Sequence, residues 1–212
     1  MNRDFDVAVI GRGIVGMAHA LAAARTGKRV VVIDRHARAT GASIRNFGFV
    51  TVTGQERHDM WPMARRARDV WADVAPRAGI IVEQTGLVLP VRRKAAVAVL
   101  EAFLSTEMGE GCDLLTDAQL RVLDPQTPFT PCEGALVSPH ELRVEAREAI
   151  PKIAAWLERD MGVTFAAPTT VIACEQGCVV TSGGNIRAEA IFVCPGDDLN
   201  ALFPDVMADH QV

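Results

Sequence analysis

The segment from Asp6 to Asp34 constrains the fold of this chain more than any other. It begins with a short apolar run, 7–10, of the kind that forms a strand buried on both faces. An alanine-rich stretch follows and predicts a helix that ends at Gly27, and a second apolar run, 29–33, leads to Asp34. Three glycines in the spacing GxGxxG join the first run to the helix: Gly11, Gly13 and Gly16. The segment therefore predicts a strand, a glycine turn, a helix and a second strand.

The glycine spacing indicates a site for the ADP half of a dinucleotide. The three glycines suit a tight turn, close approach of the backbone to a pyrophosphate, and packing of the helix on the strand. The free amide groups at the start of the helix favour a bound anion. Asp34 follows Gly16 by eighteen residues, where a carboxylate accepts the hydroxyls of a ribose. These residues fit NAD and FAD alike, and Asp34 disfavours a ribose 2′-phosphate although Arg35 and Arg38 weaken that argument.

The composition is that of an ordinary globular protein. Apolar residues make up 49% of the 212 residues and charged residues 23%. The formal net charge of −4 gives no reason to expect a nucleic acid or an anionic membrane surface as a partner. No apolar stretch is long enough to span a bilayer, and the first strand begins too early to leave room for a signal peptide. We therefore expect a cytoplasmic protein.

The remaining reactive side chains point to no further site. The five cysteines are irregularly spaced and predict reduced thiols. Cys174 and Cys178 flank an expected hairpin turn, with no second pair or histidine near them in the sequence, so no metal site is expected. The chain contains no tyrosine, which excludes a tyrosine acid or base. None of the five histidines is in a catalytic pattern, and no catalytic residue is assigned.

A polar loop, 35–55, follows the second strand. It is long for a βαβ fold, whose connections usually span about two to six residues. It combines hydroxyl, guanidinium and amide groups with glycines, a composition suited to surround a phosphate or the edge of a polar ring. Arg45 in this loop fits two roles equally well, contact with a phosphate or attraction of an acidic substrate.

The rest of the sequence alternates between helical and strand patterns. Helices are predicted over 56–75, 94–108, 117–123 and 144–161. Strands are predicted over 80–83, 86–90, 134–138, 163–165, 170–174, 179–182 and 191–194. Pro76 is expected to stop the first of these helices, and Pro151 to kink the last one. The stretch 124–131 is rich in proline and is expected to be a loop.

This order of elements predicts a domain interrupted by an insert. Residues 1–55 and 136–200 are expected to form the two segments of a nucleotide-binding domain. Residues 56–135 are expected to form a partial cap domain that covers the cofactor and shapes a substrate pocket. Residues 201–212 are expected to be a tail.

Several stretches in this order carry a family resemblance. They are VAVIGRGIVG, VVIDR, GASIRNFGFV, GALVSPHELRV, GVTFAAPTTVIA and IRAEAIFVCPGDD. Together they resemble the FAD-dependent amine oxidoreductases related to glycine oxidase, sarcosine oxidase and D-amino acid oxidase. The GASIRNFG stretch is most similar to a bacterial branch of this family that is often encoded beside phosphonate-utilisation genes. The resemblance spans nearly the whole chain.

The resemblance implies an α/β fold, with a Rossmann-like FAD-binding domain of the glutathione-reductase type and an inserted α+β substrate domain. Members of the family are considerably longer, so this chain is expected to be incomplete and to lack the C-terminal half.

The resemblance also implies which residues contact FAD. Asp34 would bind the adenosine ribose, Arg35 would lie at the adenine end, the backbone of Val171 would meet the adenine, and Gly196 would pass close to the phosphates. The pyrophosphate would be held by the first turn: Gly11, Gly13, Ile14 and Gly16. The stretch from the phosphate to the flavin ring would comprise Ala42, Ser43, Asn46, Phe47, Gly48 and Phe49.

The implied activity is oxidation of the carbon next to an amine, in a small amino acid or an aminophosphonate. The flavin accepts a hydride, the imine is hydrolysed, and oxygen or another acceptor reoxidises the flavin. One alternative is an NAD-dependent dehydrogenase, which would continue as regular βα units after Asp34 instead of the long polar loop seen here. The other alternative is a non-catalytic nucleotide-binding fragment, suggested by the early end of the chain.

Overall fold

The computed structural model describes residues 4–123, 125–126 and 130–208. This part of the chain contains ten strands and six α-helices. The strands are β1 (Phe5–Ile10), β2 (Val30–Ile33), β3 (Phe49–Val50), β4 (Val82–Val91), β5 (Asp113–Leu115), β6 (Gly134–Val144), β7 (Thr164–Ala166), β8 (Val171–Glu175), β9 (Cys178–Thr181) and β10 (Gly184–Val193). The helices are α1 (Ile14–Arg25), α2 (Met60–Ala78), α3 (Lys94–Leu104), α4 (Asp117–Leu123), α5 (Ala146–Met161) and α6 (Pro204–Ala208). Three 3₁₀ turns lie at Ala42–Ile44, Glu107–Gly109 and Leu199–Ala201.

These elements form two compact units. The bounds of the first unit are Met1–Phe47, Pro76–Ile80 and Glu145–Val212, and those of the second are Gly48–Ala75 and Ile81–Val144. The boundaries differ from the expected segments 1–55, 56–135 and 136–200. The short strand β3 pairs with β6 at Arg143 and Leu142, and both strands lie in the second unit.

The first unit is built on a six-stranded sheet with the order β7-β2-β1-β10-β9-β8. Strand β1 is parallel to both β2 and β10, and β2 is parallel to β7. Strands β8 and β9 extend the sheet as an antiparallel hairpin that continues into β10. All four residues of β2 are buried, as are the last four of β1, because parallel strands covered on both faces need apolar side chains in succession. The expected α/β class with a Rossmann-like parallel sheet is confirmed.

Helices α1 and α5 pack against each other in this unit. The side of α1 that faces the protein interior is formed by small and apolar residues: Gly16, Met17, Ala20 and Leu21. One face of helix α5 is apolar and buried, and Gly162 ends the helix at φ 68°. Its first residue is preceded by Glu145, whose carboxylate accepts a hydrogen bond from the amide of Arg147 at 3.1 Å.

The second unit contains a four-stranded antiparallel sheet in which β6 is central. Strand β4 lines one edge of β6, while β3 and β5 pair with different parts of its other edge. The two short strands expected over 80–83 and 86–90 are one strand, β4, because an irregular register bridges them. Gly86 makes this possible, since its φ is +72° and a Cβ there would lie 2.5 Å from the oxygen of Ser138.

Other elements also extend beyond their expected ends. Strand β6 continues past residue 138 to Val144, because β4 pairs with it along this length. Strand β10 begins at Gly184 instead of 191, because its first four residues pair with β9. Pro76 lies inside α2, whose preceding turn is buried at Val74 and Ala75, and the helix ends before Gly79. Pro151 lies within α5, and the kink expected there stays a prediction. Part of the expected loop 124–131 lies outside the described residues.

No helix in the described part of the chain is long and apolar enough to cross a membrane.

Candidate functional site

The turn between β1 and α1 can be formed only by glycine at its first position. Gly11 has φ +101°, and a Cβ on it would lie 2.1 Å from the backbone oxygen of Cys194. The amide of Gly11 donates to the oxygen of Ile33 at 2.8 Å, and the amide of Cys194 donates to Ile10 at 2.7 Å. The turn is therefore fixed between the ends of β2 and β10.

The other two motif glycines allow α1 to start against this turn. A Cβ on Gly16 would lie 1.9 Å from the oxygen of Gly11, so only glycine permits this packing of the helix. A Cβ on Gly13 would lie 2.9 Å from Oγ of Ser43. That hydroxyl accepts a hydrogen bond from the amide of Ile14 at 2.9 Å. Ser43 thus satisfies one of the amide groups that a helix leaves unpaired at its N-terminus.

The carboxylate of Asp34 is held at the end of β2 by two backbone amides. Its Oδ2 accepts from Arg12 at 2.8 Å, and its Oδ1 accepts from His36 at 2.7 Å. Each carboxylate oxygen has a second lone pair, so both remain able to accept a hydroxyl group. The neighbouring Arg35 forms an ion pair with Asp198, which lies beyond β10.

These groups line one cleft of about 210 Å³ in the first unit. The cleft lies at the carboxyl ends of β1, β2 and β10, the place where open parallel sheets bind ligands. Eight of the residues predicted from the sequence line it: Gly11, Gly13, Asp34, Arg35, Ala42, Ser43, Val171 and Gly196. Gly196 has φ +71° in open space, so its backbone conformation and not crowding favours glycine there.

The other predicted site residues do not line this cleft. Ile14 and Gly16 lie in the first turn of α1, directly behind it. Asn46 donates from Nδ2 to the oxygen of Ala42 at 2.9 Å, and the amide of Arg45 donates to the same oxygen at 3.0 Å.

The end of the predicted flavin stretch has contacts of its own. Phe47 is exposed at the end of the first unit's opening segment. Gly48 and Phe49 begin the second unit, where the oxygen of Gly48 accepts from Val144 at 3.0 Å and Phe49 pairs with Arg143. Contact of residues 46–49 with a flavin stays a prediction, as do the two roles considered for Arg45.

Sequence reasoning missed three charged residues of the cleft, Arg12, Asp197 and Asp198. Arg12, between the first two motif glycines, fixes Asp34 through its amide. Its guanidinium bonds the oxygen of Ala37 and lies 5.4 Å from the centre of the Phe165 ring. Asp197 and Asp198 follow the last strand, and no role was predicted for either of them.

A second group of polar side chains lies in the second unit. His140 is in β6 and only 6% exposed, and its Nε2 lies 2.7 Å from the oxygen of Glu110. Glu141 is 5% exposed and accepts at Oε1 from the amides of Thr53 at 2.7 Å and Val52 at 3.3 Å. Burial alone would raise the pKa of Glu141, but hydrogen bonds from Thr53, Ser138 and Val52 outweigh it and hold that pKa below its ordinary value. This group fixes β3 and the residues after it to the centre of the second sheet.

The thiols and potential metal ligands form no recognisable reactive centre. All five cysteines lie among the described residues and are unpaired. Burial raises the pKa of both Cys194 and Cys174, which keeps these thiols protonated near neutral pH. Within the described ranges, no group of three or more His, Cys, Asp and Glu side chains is arranged to hold a metal ion.

The fold and the glycine turn define a Rossmann-like fold of the dinucleotide-binding class. Comparison with known families identifies the group: the profile of the FAD dependent oxidoreductases, DAO, matches residues 6–211. The chain belongs to this family, and FAD is the cofactor that the family uses. Comparison with curated protein sequences finds no match.

Solved structures with the same fold include several amino acid oxidoreductases. Glycine oxidase from Geobacillus kaustophilus superposes with a TM-score of 0.76 at 21% identity, over 95% of this chain and 58% of that one. L-Amino acid deaminase from Proteus myxofaciens gives 0.82 at 17% identity, over 97% and 48%. L-α-Glycerophosphate oxidase from Mycoplasma pneumoniae, solved with FAD bound, gives 0.71 at 16% identity, over 90% and 53%. The chain therefore spans about half of the length of these proteins.

Proposed function

We propose that the cleft of the first unit binds the ADP half of FAD. The observation that carries this proposal is the geometry of the glycine turn, where Gly11 and Gly16 exclude any side chain. Backbone atoms therefore line the place where a pyrophosphate approaches the start of a helix. Asp34 would accept the ribose hydroxyls, and its orientation is already fixed by two amides. The hydrogen-bonding groups of the cleft and the shape of the glycine turn therefore both fit a dinucleotide.

The remaining lining residues would contact the two ends of the ADP moiety. Arg35 and the backbone of Val171 would lie at the adenine, and Gly196 would pass near the phosphates. Ser43 would act indirectly, because its hydroxyl is already engaged by the amide of Ile14. The stretch that would continue from the phosphate toward the flavin ring is Ala42, Ser43, Asn46, Phe47, Gly48 and Phe49. Arg45 would contact a phosphate or attract an acidic substrate.

We further propose that the whole protein is an oxidoreductase that oxidises the carbon next to an amine. FAD, when bound, supplies the chemistry by accepting a hydride from that carbon. The part of the chain described here would bind and orient the cofactor, and no catalytic acid or base is assigned to it. Glycine oxidase and L-amino acid deaminase, which share the fold, support an amino acid as the substrate class.

The narrower choice of substrate rests on the sequence resemblance. The GASIRNFG stretch supports an aminophosphonate as an alternative to a small amino acid, within the branch associated with phosphonate utilisation. Oxygen is proposed as the electron acceptor, and the second unit as part of a substrate domain. A cytoplasmic location is supported by the five unpaired cysteines.

The experiment that tests this function is anaerobic reduction of the FAD-loaded protein by candidate amines. Glycine, sarcosine, D- and L-amino acids and an aminoalkylphosphonate are each mixed with the loaded protein, and flavin absorbance is followed. Bleaching by one of these compounds, with recovery on admission of oxygen, supports the proposal. A flavin that none of them bleaches contradicts the proposed activity, and a colourless protein that binds NAD contradicts the proposed cofactor site as well.

A further inference from the structure

We propose that Asp198 determines which nucleotide this cleft accepts, because it engages the guanidinium that would otherwise bind a ribose 2′-phosphate. The inference rests on the proposed nucleotide site and deepens it. It concerns discrimination between an unmodified adenosine ribose and a 2′-phosphorylated one. In the sequence, Asp34, an acid that favours free ribose hydroxyls, is followed directly by Arg35, which favours a phosphate.

Arg35 has the position and the chemistry to recognise a 2′-phosphate. It lines the cleft directly after Asp34, the residue proposed to bind the ribose. A guanidinium recognises phosphate through two parallel hydrogen bonds, which is why arginine next to the ribose accommodates the 2′-phosphorylated cofactors. Its side chain is 52% exposed and so is accessible to a ligand.

Asp198 occupies this guanidinium. Nη1 of Arg35 is paired with Oδ2 of Asp198, whose side chain also lines the cleft and is 34% exposed. A 2′-phosphate would have to displace this carboxylate and would then approach both Asp198 and Asp34. Like-charge repulsion would therefore add to the lost ion pair, and both effects favour a ribose with free hydroxyls.

The guanidinium of the second arginine in the cleft already has partners of its own. Of the described residues that line the cleft, the second arginine is Arg12. Its guanidinium bonds the backbone oxygen of Ala37 and lies over the ring of Phe165. Arg38, which the sequence also offered as a phosphate ligand, does not line the cleft.

The fold holds Asp198 in this place. It precedes the 3₁₀ turn Leu199–Ala201, and its backbone oxygen accepts from the amide of Ala201 at 3.4 Å. Leu202, which follows the turn, packs against the apolar cluster formed by β1, β2, β9 and β10. The segment after β10 is thus anchored on the core by Leu202 and reaches the cleft with Asp198.

The test compares two probes on the full chain, ADP and its 2′-phosphorylated analogue. Binding of each is measured by displacement of FAD, and the quantity of interest is the ratio of the two dissociation constants. The wild type is expected to prefer ADP. Asp198→Asn is expected to shift the ratio about fivefold toward the 2′-phosphorylated probe, as expected for an exposed ion pair of this kind. Adding Arg35→Ala to Asp198→Asn should abolish the shift.

Asp197→Asn is the matched control, because it removes the same charge one residue earlier from the lining of the same cleft. An unchanged ratio in Asp198→Asn would overturn the inference, as would an equal shift in Asp197→Asn, which would indicate a general effect of charge. If wild-type protein binds FAD and ADP, such a result leaves the proposed function intact. A folded wild type that binds neither would overturn both.

Discussion

The amide of Ile14 donates a hydrogen bond of 2.9 Å to Oγ of Ser43, a residue 29 positions later in the chain. This bond joins the first turn of α1 to the 3₁₀ turn Ala42–Ile44. It holds the polar loop after β2 against the glycine turn, and residues of both segments line the cleft.

Replacement of Ser43 by alanine is expected to weaken FAD binding about fivefold and to lower the free energy of unfolding by ~1 kcal/mol, the usual effect of losing a helix N-terminal acceptor. The physical reason is that the amide of Ile14 loses its partner and the loop loses an anchor. FAD titration and urea unfolding measure the two effects. Ser105→Ala, at an exposed serine at the end of α3, is the control and should change neither.

Gly11→Ala is expected to abolish FAD binding and to destabilise the protein by more than ~2 kcal/mol, because two main-chain effects combine. The φ of +101° is strained for alanine, and the new Cβ would meet the oxygen of Cys194. Gly183→Ala is the matched variant, since the nearest atom to its Cβ would be 3.8 Å away and its φ is not positive. If Gly11→Ala and Gly183→Ala had the same unfolding temperature and the same affinity for FAD, the turn would not require glycine at position 11.

Asp34→Ala is expected to weaken FAD binding about tenfold, since it removes the acceptor for the ribose hydroxyls and frees two backbone amides. Flavin that is bound at saturation should keep its absorption spectrum, because Asp34 is proposed to contact the adenosine end only. Titration followed at two wavelengths of the flavin absorption spectrum separates a change in affinity from a change in the spectrum. A shifted flavin spectrum with unchanged affinity would place Asp34 at the ring instead of at the ribose.

Glu141 predicts a dependence of stability on pH. Its pKa in the folded state lies below the ordinary carboxyl value, so folding favours the ionised form. The resulting stabilisation is fully present above the unfolded pKa of about 4.3 and is lost as the pH falls through the folded value. Glu141→Gln should therefore lower the urea midpoint at neutral pH and reduce the loss of stability on acidification. Glu133→Gln, at an exposed position of the same unit, should retain the wild-type profile.

Local patterns in the sequence predicted the first unit well, because its elements follow directly from residue types. The buried run in β2 and the glycine spacing each correspond to one local geometry, and both are found as expected. Asp34 lies in the cleft for the same reason, since it ends a strand that points there.

The parts that sequence reasoning missed depend on contacts between distant segments. Strand β6 is long because β4 and β3 pair with it, and no local pattern encodes that partnership. His140 and Glu141 are buried by the same pairing. Leu202 packs on the core and so anchors the segment that brings Asp198 to the cleft. The residues of this segment have only weak local preferences for a helix or a strand.

Equilibrium titration of the purified full chain with FAD, followed by flavin fluorescence and compared with Gly11→Val, tests the central claim most directly. The account predicts that the wild type binds one FAD per chain and that ADP competes for the site. Gly11→Val should bind neither. A wild-type chain that is folded by circular dichroism yet binds no FAD, or a Gly11→Val variant that binds FAD as tightly as the wild type, would contradict the claim.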